Sequence, residues 1–323
     1  MAAQILERTL AVAHPRPYAD GSLAAPAGAP LDAPAAPAVP LPVLDRTRVL
    51  GILNVTPDSF SDGGRFAALD KAVEGGLALV RDGADLVDVG GESTRPGAVR
   101  VDEDEELRRV VPVVGALAGA GIAVSVDTMR ARVAEAAVGA GAVLVNDVSG
   151  GLADPAMLDV IAATGSQCVL MHWRGHSTVM ESRAVYDDVL REVSDELVDR
   201  VDAAVAAGVD PGNIVLDPGL GFAKDAEQSW ALLAAYPRLS SLGFPLLVGA
   251  SRKRFLGECV PHEAPGLSVP ADRDGASAAV AAYVAQAGAW GVRVHDVAPA
   301  AAAVRVAARL QAARAGLDLR TWR

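Results

Sequence analysis

Eight polar residues, Asn54, Glu92, Asp127, Asn146, His172, Asp217, Lys253 and His295, recur along the chain at or just beyond the ends of short apolar runs. Their side chains are acceptors, donors or both, the groups needed to grip a polar ligand by its edges. The runs occupy residues 49–53, 86–89, 122–126, 143–145, 168–171, 214–216, 246–248 and 292–294. Runs this short and this largely apolar suit parallel strands buried on both faces. A polar residue repeatedly placed at the strand exit is the pattern of a site assembled on strand ends.

Helical spacing fills the intervals, so strands and helices alternate. Eight β-α units over about 250 residues predict a (β/α)₈ barrel, an α/β fold whose active site lies at the carboxyl ends of its strands. An open doubly wound sheet would announce itself with a glycine-rich phosphate loop after the first strand, and no G-x-G-x-x-G follows residues 49–53. Leu190, Val193, Leu197, Val201 and Val205 share one face of what reads as the longest helix, which stops near Gly208 and Pro211. Acidic residues open a helix at 104–118, in which Pro112 predicts a kink or a restart. Turn formers and charges between 258 and 274 predict a surface excursion after the seventh strand.

The chain of 323 residues, 51% hydrophobic, supports one folded domain. Residues 1–45 form an Ala/Pro-rich tail expected to be extended and mobile, and residues 46–323 the barrel domain. A net charge of -11 and a pI near 4.9 argue against nucleic-acid or anionic-membrane partners. No stretch approaches the roughly 18 apolar residues of a membrane helix, and Glu7 and Arg8 interrupt the only candidate signal segment. Cys168 and Cys259 have neither metal-ligand nor disulfide spacing, which fits a reducing cytoplasm.

Because strand side chains alternate, Asp127 shares a face with Ser125, Asp217 with Val215, and His295 with Arg293. One part of the mouth then offers Asp127, Asn146, Asp217 and Lys253, a mixed donor and acceptor set suited to a flat heterocycle. Another offers Asn54, Arg293 and His295. Arginine presents a fork of donors to phosphate oxygens, and an asparagine carbonyl is a hard ligand for Mg²⁺ beside substrate phosphates. A phosphorylated heterocycle is the ligand these residues describe. Two polar, glycine-rich loops, 54–64 and 90–97, are expected to close over it.

The ordered motifs N-V-T-P-D-S-F-S-D-G-G, G-G-E-S-T-R-P-G, V-D-T, N-D-V-S-G-G, D-P-G-L-G-F-A-K, S-R-K and R-V-H-D resemble those of the dihydropteroate synthase family. The likeness runs from about Arg48 to Ala312, and residues 171–175 and 251–257 look most like its actinobacterial branch. It implies a homodimeric, Mg²⁺-dependent folate-pathway transferase. Such an enzyme joins p-aminobenzoate to 6-hydroxymethyl-7,8-dihydropterin diphosphate and is inhibited by sulfonamides. Carried over residue by residue, it implies that Asp127, Asn146, Asp217 and Lys253 hold the pterin, with Met171 and Phe222 lining the slot and Arg293 touching pterin and diphosphate. Asn54, through Mg²⁺, and Thr94 and His295 would hold the diphosphate. Phe60, Thr94, Arg95 and Pro96 would form the p-aminobenzoate pocket, with Asp62 opposite Arg95. Asn54, Asp62, Arg95, Lys253, Arg293 and His295 form the implied catalytic set.

Diphosphate departure ahead of amine attack, a dissociative displacement, is the mechanism this chemistry favours. Blander roles compete residue by residue: Asp127, Asn146 and Asp217 could bond loop backbones, and Asp58 and Asp62 could serve turns. Lys253 could be a surface or a Schiff-base lysine, though Arg252, Arg254 and the matching motif favour the pterin. His172 and His176 make a poor metal pair, so a structural or hydrogen-bonding role is expected. Two other functions remain in view, a non-catalytic pterin-binding homologue and a corrinoid-linked methyltransferase pterin domain. The intact loop motifs and R-V-H-D weigh against the first, and the second has no use for a diphosphate site.

Overall fold

The computed structural model describes residues 39–55, 64–92, 100–260 and 269–316. Strands and helices alternate through β1 (Arg48–Asn54), α1 (Gly64–Arg81), β2 (Leu86–Gly90), α2 (Glu103–Gly119), β3 (Val124–Asp127), α3 (Ala131–Gly139), β4 (Leu144–Asp147) and α4 (Met157–Thr164). They continue through β5 (Gln167–Met171), α5 (Val189–Ala206), β6 (Ile214–Asp217), α6 (Ala226–Ala234), α7 (Tyr236–Ser240), β7 (Leu247–Val248), α8 (Asp274–Gln286), β8 (Gly291–Val294) and α9 (Val297–Arg314). The strands are parallel, in the order β6-β5-β4-β3-β2-β1-β8-β7. A parallel bridge between Leu216 and Leu246, with the Leu216 amide donating to the Pro245 carbonyl at 2.8 Å, joins the two edges. The result is a (β/α)₈ barrel.

Period-2 alternation divides each strand between two cores. Outward residues such as Val87, Val89, Val124, Val126, Leu170 and Leu216 pack under the helices. Inward residues Leu50, Leu86, Ala123, Leu144, Val169, Val215 and Leu247 form a separate apolar plug. The plug is sealed from below by Trp290, Val143, Val39 and Leu41, the last two from within the stretch assigned to the tail. A barrel floor left open would expose that layer to water, so apolar residues ahead of β1 have a place to bury. The Arg48 guanidinium covers the Trp290 ring at 4.9 Å and donates to the Pro42 carbonyl at 3.1 Å, fastening the segment.

Two residues further along each strand, the inward positions turn polar: Asp88, Ser125, Asn146, Asp217 and Arg293, with Ile52 and Met171 between them. The register sets Ile52 beside Asp88, Asp88 beside Ser125, and Met171 beside Asp217.

The helices follow their caps. Asp102 accepts from the Asp104 amide at 2.9 Å and four acidic residues fill the first turn of α2. Pro112 neither breaks nor restarts that helix. Its flanks Val110, Val113, Val114 and Leu117 are buried, and this packing outweighs the loss of one amide bond. α5 buries Val193, Leu197, Val201 and Ala204 and ends before Gly208, whose φ of +97° reverses the chain. At 18 residues it is matched by α1 and α9 rather than being the longest. In the predicted excursion, 3-10 turns span Arg254–Cys259 and Pro270–Arg273, and residues 261–268 lie outside the described residues. Among the described residues no helix is long and apolar enough to cross a membrane.

Leu144 is fully buried in the plug. Leu144→Ala is expected to lower the unfolding free energy by about 2–5 kcal/mol, read as a drop in the urea midpoint.

Candidate active site

The barrel mouth is organised around a guanidinium. Arg293 on β8 donates from Nε to Asp88 Oδ2 on β2 and from Nη2 to Asp127 Oδ2 at the end of β3. Asn146 on β4 adds a bond from Nδ2 to the same Asp88 oxygen at 3.1 Å. Burial opposes charge on Arg293, but Asp88 and Asp127 outweigh it and raise its pKa above the usual arginine value. Burial pushes Asp127 up to about 7; Arg293 opposes the shift and Asp88 reinforces it. Two carboxylates sharing one cation leave Asp127 ready to accept from a ligand that brings its own N–H donors.

Across the mouth, Asp217 ends β6 and is 5% exposed. Its Oδ1 accepts the Gly219 amide at 2.7 Å. Burial raises its pKa, while Lys253 and that amide pull it back. The Lys253 ammonium donates to the Leu220 carbonyl and stands 4.6 Å over the Phe222 ring, a cation-π contact. Burial lowers Lys253 to about 8, with Asp217 working against the shift and Arg293 with it. A Cβ on Gly249 would lie 3.6 Å from Asp217 Oδ2 and 4.0 Å from Lys253 Nζ, so glycine there leaves the space between them open. Met171, 3% exposed, is the strand neighbour of Asp217.

His295 follows β8, its Nδ1 3.1 Å from the Ser251 hydroxyl, which also accepts the His295 amide at 3.1 Å. Asn54 ends β1, the strand beside β8, and is exposed. Its carbonyl oxygen is a hard donor at the rim, fitted to a Mg²⁺ ion that takes its other ligands from water and phosphate. Among the described residues no group of three His, Cys, Asp or Glu could hold a metal alone. Beside Phe222 a pocket is lined by Met129, Val148, Trp173 and His176.

Asp127, Asn146, Met171, Asp217, Phe222, Lys253, Arg293, His295 and Asn54 therefore share one end of the barrel. The expected division into two parts does not hold for Arg293, which sits among Asp127, Asn146 and Asp88. Phe60, Asp62, Thr94, Arg95, Pro96 and Asp58 lie outside the described residues. Glu92 pairs with Arg100 at 2.9 Å and Arg130 at 3.2 Å. His172 receives a bond from Lys224 at 2.8 Å, in keeping with its expected structural or hydrogen-bonding role.

Sequence reasoning missed Asp88, Ser251 and Lys224. Asp88 had a signal: it is a lone carboxylate inside a run expected to be buried on both faces. Lys224 closes the D-P-G-L-G-F-A-K motif without having been given a task.

Residues 50–295 match the family described as "Pterin binding enzyme". A dihydropteroate synthase of Mycobacterium leprae is 55% identical over 260 residues, covering 80% of this chain and 92% of its own length. The chain belongs to the dihydropteroate synthase family. That makes it a transferase by class, and the mycobacterial likeness accords with the actinobacterial motifs. The Xanthomonas albilineans dihydropteroate synthase with 4-aminobenzoic acid matches with a TM-score of 0.75 at 47% identity, over 84% of this chain and 94% of that one. The dihydropteroate synthase of the same organism in complex with 7,8-dihydropteroate matches at 0.73 and 44%, over 84% and 95%.

Lys253 yields a pH prediction. Its acylation by a competitive amine reagent, read by peptide mass spectrometry, should be half-maximal near pH 8, well below the value of about 10.4 for an unperturbed lysine. Between about 8 and 10.5 the unfolded chain binds the proton the folded one has released. This residue's contribution therefore makes stability rise with pH across that window.

Proposed function

We propose that the chain condenses 6-hydroxymethyl-7,8-dihydropterin diphosphate with p-aminobenzoate, giving 7,8-dihydropteroate and pyrophosphate. The observation that carries this is the buried carboxylate Asp217 facing Lys253, in the same mouth as Asp127, Asn146 and Arg293. A pterin presents a guanidine-like edge with adjacent donors, and a carboxylate excluded from water is the acceptor that rewards them most. Asn146 and Lys253 would serve the acceptors of the ring, Asp127 a further donor, and Met171 and Phe222 its faces.

The reaction breaks the bond between the exocyclic methylene and the diphosphate oxygen, with the electron pair leaving on that oxygen. The arylamine lone pair forms the new carbon-nitrogen bond, and the surplus amine proton passes to water or to the departing pyrophosphate. Arg293 and His295 would hold the developing charge, and Asn54 would hold the Mg²⁺. The metal, when bound, neutralises phosphate charge. Because the electron-rich dihydropterin can stabilise positive charge at the methylene, departure ahead of attack is favoured. Positioning and electrostatics are then the main catalytic contributions. An arylamine is neutral at pH 7, so no strong general base is required.

The same reading assigns the p-aminobenzoate pocket, and sulfonamide competition for it, to Phe60, Thr94, Arg95 and Pro96, with Thr94 also at the diphosphate and Asp62 opposite Arg95. It includes the homodimer that the family likeness implies. It also includes a cytoplasmic setting, supported by the free, exposed Cys259.

Release of pyrophosphate dependent on both substrates and on Mg²⁺ is the direct test. Asp217→Asn should weaken pterin binding by about 1–3 kcal/mol in calorimetry, since the amide turns a donor toward the donors of the ring; unchanged affinity rejects the assignment. His295→Ala should cost more affinity for the pterin diphosphate than for the pterin without its phosphates, whereas Arg293→Ala, which also strands Asp88 and Asp127, should weaken both ligands. Equal losses on both ligands in His295→Ala would place the diphosphate elsewhere.

A further inference from the structure

The connection from β6 to α6 carries a buried cation to which the reaction above gives no task. Lys224 is 8% exposed. Its ammonium has three donors and meets three acceptors: His172 Nδ1 at 2.8 Å, the Gly219 carbonyl at 3.1 Å and the Phe222 carbonyl at 3.0 Å. A neutral amine has only two N–H groups for them. Burial pushes Lys224 well below its usual range, as does neighbouring Lys253, while Asp217 and Glu196 draw it back. His172, brought to about 4 by burial and then by Lys224, is neutral near pH 7. Glu196 Oε2 on α5 lies 2.9 Å from His172 Nε2, oblique to the ring N–H, and completes a line from the barrel mouth to the surface.

The backbone that Lys224 ties together is the backbone that seats Lys253. Gly219 donates its amide to Asp217, Leu220 offers its carbonyl to Lys253, and Phe222 lies under the Lys253 ammonium. That backbone is bent enough to need tying. Gly219 and Gly221 have φ of +67° and +71°, and a Cβ on Gly219 would stand 2.4 Å from the His172 carbonyl. Ala223, which has a Cβ, is held at φ +47°.

We propose that Lys224, backed by His172 and Glu196, is a positioning residue that fixes the ammonium of Lys253 beside Asp217 through residues 219–222. Its consequence for turnover rests on Lys253 being a pterin ligand; the positioning itself does not.

The test is Lys224→Met, which keeps the length and removes the cation. The amine-labelling midpoint of Lys253 should move up from about 8 by about half a pH unit or more, because an ammonium no longer confined by residues 219–222 regains water. KM for the pterin diphosphate should rise about tenfold, with KM for p-aminobenzoate changing less than about twofold. Glu196→Ala, on the outer face of α5, should give the same signs at smaller size and decides the matter if Lys224→Met does not fold. An unmoved Lys253 midpoint in a folded variant overturns the proposal. A moved midpoint with an unmoved pterin KM upholds the positioning role and overturns the assignment of Lys253 to the pterin.

Discussion

The structure depends on keeping charge inside the mouth of an otherwise apolar barrel. A guanidinium or carboxylate removed from water costs several kcal/mol unless its partners surround it. Arg293 is admitted because Asp88 and Asp127 flank it and Asn146 supports Asp88. Asp88 is fully buried and Asp127 nearly so. Breaking either pair would strand a charge, so these side chains hold one another in place before any ligand arrives. The arrangement is also not fully neutralised: two carboxylates share one guanidinium, and Asp127 is left near 7. A heterocycle bringing N–H donors would relieve that imbalance, so the electrostatic constraint that builds the mouth also bears on what could fill it.

The polar layer can exist only because an apolar layer lies beneath it. A strand can contribute a residue to the plug and, two positions on, a residue to the mouth: Leu86 then Asp88, Leu144 then Asn146, Val215 then Asp217. The plug excludes water from below, and that exclusion gives the mouth its low dielectric and its shifted carboxylates. A slip of one residue in any strand would send its polar side chain outward under the helices and an outer valine into the mouth. Register is therefore under functional and structural demand at once.

Much of this was legible in the chain because strands in a closed parallel barrel leave two marks, apolar continuity and a polar exit. Asp127, Asn146, Asp217 and His295 were found by their exits, and Arg293 by its parity with His295. Asp88 escaped because it lies within its run, where a charge contradicts the rule used to find strands; only its partner on β8, 205 residues away, explains it. Lys224 escaped for a related reason. Its acceptors are two backbone carbonyls and a ring nitrogen on another loop, and no spacing in sequence encodes them. The restart allowed for at Pro112 does not occur, because the buried flank of α2 overrides the local backbone chemistry.

Backbone strain falls where this network needs it. Among the described residues the non-glycine positions with left-handed φ are Ala223 at 47° and Arg252 at 58°. Each immediately precedes a lysine of the mouth, Lys224 and Lys253. Such conformations cost of order 1–3 kcal/mol and persist only where the surroundings over-determine them. Arg252 is pinned by two bonds of 2.7 Å to Asp274 and by its amide to Ser277 at 3.1 Å, and the Ala223 carbonyl by the Tyr186 hydroxyl at 2.9 Å. An unstrained residue at either position would direct the following side chain elsewhere, and a lysine has enough freedom to reach solvent. The two turns thus hold flexible cations inward, one against the carbonyls of the loop and the other beside Asp217. The barrel supplies the rigid frame against which that strain can be held.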